Sequence, residues 1–537
     1  MFVQLTPCSA FRRTSICAAV MLTLHGFQFA RAQCTQWAAA PAVTGANATV
    51  FAMTMWDPDG AGPLAARLVI AGEFSAIDGV PANNIAVQNG TSWSPMGDGV
   101  DGAVYSLAVL PNGTLVVGGG FFSAGGAPVN FVALWDGQAW SGLAGGMNNV
   151  VNAVAVLQSG NIVAGGFFTT AGGTTVARIA EWNGAGWLPL GSGADNAVYA
   201  LLPVASGDLY VGGLFNTAGG RLVRRIARWD GTTWWPVGGG MNREVLSLGL
   251  MPNGDIVAGG QFTFPGGHVA RWDGVAWSAM GLGVNGPIWA YAIFEDELVI
   301  GGLFTLADGV PTGRVARWHN NAWTGLTTGT DAGVMALLTL PAGDLMVGGF
   351  FTLAGDVPSS CLARWWTPPP PVLTQHPASV ATCPAGSATF DVTASGSATP
   401  TYQWQAELDM GVWSDLIDGD LFHGGILIAK VAGATTRLMG VTTLTQFPLD
   451  RSLLALRCVA TDVCGSVTSD VANLRVCAGC TGDVTCDCAV ESSDLGVLLS
   501  NWQLSVTPGA GGDLNGDGTV GEADLGILLG NWQRACP

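Results

Sequence analysis

The chain has 537 residues, 38 of them acidic and 20 basic, for a formal net charge of −18; 79 are glycine and only 11% are charged. That balance argues against nucleic acid, whose affinity comes from neutralising phosphates with Lys and Arg. The glycine content argues against a helical protein, since each Gly weakens a helix interior by about 1 kcal/mol, and the 49% apolar fraction argues against general disorder.

Residues 1–32 read as a secretory signal. Arg12 and Arg13 form the positive start, Ile16 to Phe29 is apolar, and Ala30-Arg31-Ala32 fits the cleavage rule, leaving Gln33 first in the mature chain. The expected location is therefore extracellular or at the cell surface, with no membrane span in the mature protein. Nine of the 12 cysteines lie beyond residue 360, so in an oxidising compartment the C-terminal third is expected to be disulfide-stapled.

Residues 33–367 repeat. Phe74, Phe121, Phe168, Phe215, Phe262, Phe304 and Phe351 are spaced 47, 47, 47, 47, 42 and 47 apart. Two tryptophan series keep the same register: Trp135, Trp182, Trp229, Trp272, Trp318 and Trp365, and Trp93, Trp140, Trp187, Trp234, Trp277 and Trp323. Within one unit, Val104–Leu110, Leu115–Phe121, Phe131–Trp135 and Ala139–Leu143 read as strands. Asp136-Gly137 supplies the positive φ that a tight hairpin needs. Four short strands per unit predict a seven-bladed β-propeller, with a solenoid as the alternative. The last unit stops at Trp365-Trp366 without its fourth strand, so the segment around Trp37 is predicted to complete it. Cys34 and Cys361 lie near that seam as candidate partners. The "VGGxFxxAGG" and "ARWDGxxW" patterns resemble kelch-type propellers, in particular the extracellular kelch-like domain of fungal cortical polarity-marker proteins. That resemblance implies a fold and leaves the ligand open.

Residues 368–371 are a Pro spacer. Residues 372–478 read as a β-sandwich, with Ser387–Thr393, Tyr402–Gln405, Leu456–Ala460 and Asn473–Val476 as strands. Trp404 followed by Cys458 resembles immunoglobulin-like domains. The expected first cysteine is missing, with Phe390 or Val392 near its place, and Leu456 stands where a corner tyrosine is usual. Cys383, Cys458, Cys464 and Cys477 could pair in three ways.

Residues 479–537 carry the sharpest chemistry. Asp513 to Asp524 spells a twelve-residue calcium loop: Asp513, Asn515 and Asp517 at positions 1, 3 and 5, Gly518 at the turn, the Thr519 carbonyl at 7 and Asp524 at 12. Thirty residues upstream a degenerate copy offers Asp483, Thr485, Asp487, Glu491 and Asp494, with Cys488 in place of the turn glycine. A short helix is predicted after each loop. Two loop–helix units in about 60 residues resemble a dockerin. The resemblance implies bound calcium and a cohesin-type partner or cell-surface component, contacted through Ser492, Ser493, Glu522 and Ala523. Cys480 and Cys536 would staple the module's ends, and Cys486 and Cys488 sit too close to pair with each other.

No catalytic motif stands out. The histidines are scattered without metal-ligand spacing, and no GxSxG, P-loop or HExxH is present. Glu295-Asp296-Glu297 reads as a solvated turn. Arg221, Arg224, Arg225 and Arg228 read as one strand with Arg facing outward. The function expected from sequence is a monomeric, non-catalytic exported binding or display protein with a glycan or protein ligand on the repeat domain. The alternative is a glycan-active propeller enzyme targeted by its tail.

Overall fold

The computed structural model describes residues 35–39, 45–60, 62–368, 370–396, 399–409, 411–423, 425–444, 453–462, 464–477 and 481–534. The predicted signal segment, Cys34, Cys480 and Cys536 lie outside them. The protein is mostly β, in small, almost entirely antiparallel sheets, with two short helices among the described residues. Gln36–Trp366 forms one unit, and the chain from Thr367 onward belongs to a second.

In the first unit each repeat folds into a four-stranded sheet. Sheet 1 takes Val50–Trp56, Arg67–Gly72, Ile85–Asn89 and Ser92–Pro95; sheet 4 takes Val198–Pro203, Leu209–Gly213, Ile226–Trp229 and Trp234–Pro236. Sheet 7 takes Val334–Thr339, Leu345–Gly349 and Leu362–Trp366, and its fourth strand is Gln36–Ala39, with Trp37 opposite Trp365. The chain's start thus supplies the strand that its last repeat lacks. Each sheet's first strand lies against the first strand of the next sheet, and the Val334–Thr339 strand lies against Val50–Trp56.

The landmarks have distinct jobs. The second strand ends at Gly119, Gly166 or Gly213 rather than at the phenylalanine predicted to close it. The Phe sits just beyond, fully buried, because the pleat stops where the backbone turns. The first glycine of each pair makes room for the neighbouring sheet: a Cβ on Gly165 would sit 2.4 Å from Val198 Cγ1, and one on Gly348 would sit 2.8 Å from Val50 Cγ1. The outer tryptophans are more than apolar filling. The Trp140, Trp187, Trp234, Trp277, Trp323 and Trp37 indoles each donate to a backbone carbonyl in the turn of the preceding sheet, at 2.8–3.1 Å. Sequence periodicity thus becomes a hydrogen bond to the preceding sheet in six of the seven; the sheet-1 counterpart, Trp93, is buried with no hydrogen-bond partner for its indole N–H among the described residues. Gly212→Val, which would press on Val245, is expected to destabilise the unit by about 1–3 kcal/mol. Gly186→Val, with open space around its Cβ, should leave the thermal midpoint nearly unchanged; equal midpoints for both variants would refute this packing role.

The second unit opens with a sandwich. One sheet contains Val380–Thr382, Ala472–Val476, Leu453–Asp462, Thr401–Asp409, Val412–Asp415 and Gly465–Thr468; the facing one contains Ser387–Asp391, Leu438–Thr443, Ile426–Ala432 and Gly419–His423. Trp404 and Phe390 centre its core, and the Trp404 indole donates to Thr436 C=O at 2.9 Å. Two helices follow, α1 (Ser492–Ser500) and α2 (Glu522–Gly530). No helix among the described residues is long and apolar enough to cross a membrane.

The cysteines pair differently from any scheme confined to one module. Cys383 bonds Cys486 and Cys477 bonds Cys488, joining the sandwich to the first acidic loop. Cys464 is also disulfide-bonded. Cys458 is a buried free thiol, so it makes no bond across the sandwich; Cys361 is likewise free and buried, which removes the candidate Cys34–Cys361 bond.

Candidate functional site

The two acidic loops are built on one plan. Asp494 is the third residue of α1. Its Oδ1 accepts the N–H groups of Val484 and Thr485 and the Thr485 hydroxyl, and its Oδ2 accepts Glu491 N–H. Asp524 repeats this at α2 with Leu514, Asn515 and Gly521. A carboxylate there ties the loop to the helix start, where unpaired N–H groups and the helix dipole favour negative charge. At the other end of each loop, Asp483 accepts Asp487 and Cys488 N–H. Asp513 accepts the N–H groups of Gly509, Gly516, Asp517 and Gly518.

The loops also close each other. Val520 of loop two exchanges backbone bonds with Gln503 and Leu504 after α1, while Val490 of loop one pairs with Gln533 and Arg534 after α2. Val490, Leu498, Val520 and Leu528 are the fully buried apolar core of the module. Asp483, Asp494, Asp513 and Asp524 are buried as well.

Among the described residues, Asp483, Asp487 and Asp494 bring one carboxylate oxygen each within 4.8 Å of one another. The set is all oxygen, suited to a hard cation, and Asp483 is held above the usual carboxylate range by burial and by the Asp494 charge. The residues therefore fit calcium. Loop two, ranked first from sequence, does not draw its three carboxylates together to that degree. Asp517 Oδ1 accepts the Thr519 N–H and hydroxyl, and its Oδ2 accepts the Asn515 side-chain amide at 2.9 Å. These bonds hold Asp517 below the usual carboxylate range. Thr485 and Glu491 stand differently: the Thr485 hydroxyl is spent on Asp494, while Glu491 is exposed at the helix entry. Ser492, Ser493, Glu522 and Ala523 are all exposed on the first turns of α1 and α2.

The sequence substitution that made loop one look weak is accommodated by conformation. Cys486 (φ 61°) and Cys488 (φ 70°) occupy the left-handed positions that Gly516 and Gly518 hold in loop two. A non-glycine residue there costs on the order of 1–2 kcal/mol, and each of these two is fixed by a disulfide.

The repeat unit contains a site that the sequence reading missed. A cavity of about 330 Å³ is lined by Phe51, Tyr105, Asn152, Tyr199, Leu246, Trp289 and Met335, one residue from each sheet. Each sits at the register shift of a first strand, as Tyr105 does between Val104 and Ser106 and Tyr199 between Val198 and Ala200. The bulge leaves that residue outside the ladder and re-aims its side chain. No residue type marks the position in sequence; Phe, Tyr, Asn, Leu, Trp and Met all occupy it. Burial, with the nearby Glu73 and Glu244 carboxylates, raises the Tyr105 and Tyr199 phenols, so both are neutral hydroxyls at pH 7.

Other sequence candidates have structural roles. Glu295 and Glu297 flank a hairpin turn and pair with Arg317. Arg221, Arg224, Arg225 and Arg228 do not share one strand. Arg221 lies on a small ribbon over the Trp235 ring, Arg224 and Arg225 occupy a left-handed turn, and Arg228 pairs with Asp208.

No family model and no curated protein matches the chain. Solved structures similar to part of it are immunoglobulin-type domains. The N-terminal Ig1-2 module of the Drosophila receptor protein tyrosine phosphatase DLAR is 18% identical over 20% of this chain and 48% of its own, with a TM-score of 0.15. The titin M3 domain is 20% identical over 20% of this chain and 96% of its own, also with a TM-score of 0.15. The chain thus spans about half the length of the DLAR module.

Proposed function

We propose that this is an exported, non-catalytic binding or display protein, held in place by its C-terminal module in a calcium-dependent way. In this reading the seven sheets are the blades of a kelch-like propeller that presents a ligand surface. The sandwich is an Ig-like spacer, and residues 479–537 are a dockerin-like module for a cohesin-type or cell-surface partner. The observation that carries the reading is the gathered oxygen set of Asp483, Asp487 and Asp494, with the buried carboxylates of Asp513 and Asp524 in the matching loop. Asp483, Asp487 and Asp494 would hold the first ion, with Thr485 and Glu491 at the edge of the loop. Asp513, Asn515, Asp517, Asp524 and the Thr519 carbonyl would hold a second. Calcium would supply the positive charge that lets these acids pack together.

Partner contact through Ser492, Ser493, Glu522 and Ala523 is supported by their exposure on matching helix turns. The binding reading of the repeat domain is favoured over the enzymatic one by the lining of its seven-residue cavity, made of rings, an amide and apolar groups.

The test is capture of extracellular partners by the full chain, with calcium and with chelator. Calcium-dependent retention, lost in an Asp483→Ala/Asp487→Ala variant and weakened at least tenfold by Ser492→Arg/Ala523→Arg, is the expected result. Retention indifferent to chelator would refute the reading.

A further inference from the structure

Six of the seven sheets carry a two-stranded ribbon after the second strand, such as Thr217–Ala218 with Arg221–Leu222 in sheet 4. Sheet 5 (Val245–Leu250, Ile256–Gly260, Val269–Trp272, Trp277–Ala279) has none. Its connection is shorter: ten residues separate Phe215 from Ile226, but six separate Phe262 from Val269. The 42-residue interval among the landmarks reflects this loss.

The ribbon's job elsewhere shows what sheet 5 leaves open. Its alanine bridges the turn of the preceding sheet: Ala124 to Val100, Ala171 to Met147, Ala218 to Ala194. Two backbone bonds close the sheet-4 junction. Gly219 N–H donates to Gly193 C=O at 2.9 Å, and Asp195 N–H donates to Thr217 C=O at 3.1 Å. Gly219 then lies on the Trp234 indole, so close that a Cβ would stand 2.6 Å from Trp234 Cδ1. At the turn before sheet 5 the corresponding groups are Gly240 C=O and Asn242 N–H, and no described residue bonds either. Trp277, the counterpart of Trp234, is half-buried, as Trp140 is in sheet 2.

A cleft of about 780 Å³ opens there, lined among others by Arg224, Arg225, Met241, Phe264, Trp272 and Trp277. Phe264 is 69% exposed at its edge. In a chain with a net charge of −18, Arg221, Arg224 and Arg225 have no carboxylate partner among the described residues.

We infer that this cleft receives an extended, acidic peptide segment of a partner protein, which takes the place that the ribbon fills in the other six sheets. The backbone pair Gly240 C=O and Asn242 N–H offers one rung of antiparallel pairing, the mode by which a strand adds to an open sheet edge. The internal ribbons give the template: a small residue opposite Met241, then a left-handed position against the Trp277 ring, which is glycine in four ribbons (Gly125, Gly172, Gly219 and Gly355) and aspartate in two (Asp78 and Asp308). Arg224 and its neighbours select carboxylates beside that core. The inference deepens the display reading, on which it rests for the role of the repeat domain, and it does not involve the calcium loops.

The test is selection of a phage-displayed random heptapeptide library on the full chain. Two variants serve for comparison: Arg224→Glu, and one in which residues 263–268 are replaced by the ten-residue stretch 216–225 to restore a ribbon. The expected result is enrichment of peptides with a small residue followed by glycine or aspartate and flanked by Asp or Glu. Their affinity should fall at least tenfold on both variants, with Asn242 N–H gaining hydrogen-exchange protection on binding. If the restored variant does not fold, Arg224→Glu and the Asn242 exchange decide. Selection repeated in chelator separates the two ideas, since peptide binding should persist there while capture through the tail is lost. No enrichment, equal binding by the variants, or binding of oligogalacturonate in place of peptides overturns the inference.

Discussion

Chelating calcium from the full chain is expected to unfold residues 481–534 while the seven sheets stay intact. The module has four fully buried apolar side chains, far too few to offset the ordering of some fifty residues at roughly 1–2 kcal/mol each in backbone entropy alone. It also buries four aspartates whose charges repel once no cation lies among them. The loops brace each other through Val490 and Val520, so loss of one should release both. Backbone amides of Leu498 and Leu528 should lose at least a hundredfold of their hydrogen-exchange protection, with those of Val117 and Val211 unaffected. Asp494→Ala should act in the same direction with calcium present, because it strands the N–H groups of Val484, Thr485 and Glu491, at about 1–3 kcal/mol for each buried donor left unpaired. Unchanged exchange at Leu498 and Leu528 after chelation would show that the module folds without metal.

Trp404→Ala should be the most damaging single change in the sandwich. The residue is fully buried, packs against Phe390, bonds Thr436 C=O and lies opposite Cys458 in the sheet register. Truncating such a tryptophan costs about 3–5 kcal/mol, a large part of the 5–15 kcal/mol that holds a typical domain together. Cys458 provides the readout. Burial pushes its thiol up to about 12, so almost no thiolate is available to react. In the variant, site-resolved alkylation at Cys458 should accelerate at least tenfold, while Cys361, a buried free thiol in the repeat unit, reacts at its original rate. Equal labelling of Cys458 in both proteins would mean that Trp404 does not close that core.

The repeats were legible because one physical rule recurs: a Gly pair ends the second strand, and a Phe follows where the pleat stops. The missing fourth strand of sheet 7 was legible for the same reason, since Trp37 stands in the register of Trp323. The cavity residues were not, because a bulge position has no compositional signature; Phe51, Asn152 and Met335 share only a place in the ladder. The 42-residue interval was visible, but its meaning depended on knowing that the lost residues formed a ribbon bridging two sheets. Ranking loop two above loop one followed residue identity. Residue identity could not reveal that two cysteines adopt glycine-like backbone angles under covalent restraint, nor that Asp517 would turn its oxygens to Thr519 and Asn515.

The bonds Cys383–Cys486 and Cys477–Cys488 also fix how tension would travel. A pull transmitted through α1 reaches the Asp483–Asp494 loop, and there it enters covalent bonds that lead straight into the sandwich strands. The chain up to Cys488 cannot be drawn out like a thread, so a load on α1 would pass to sulfur–sulfur bonds as soon as residues 489–494 had straightened.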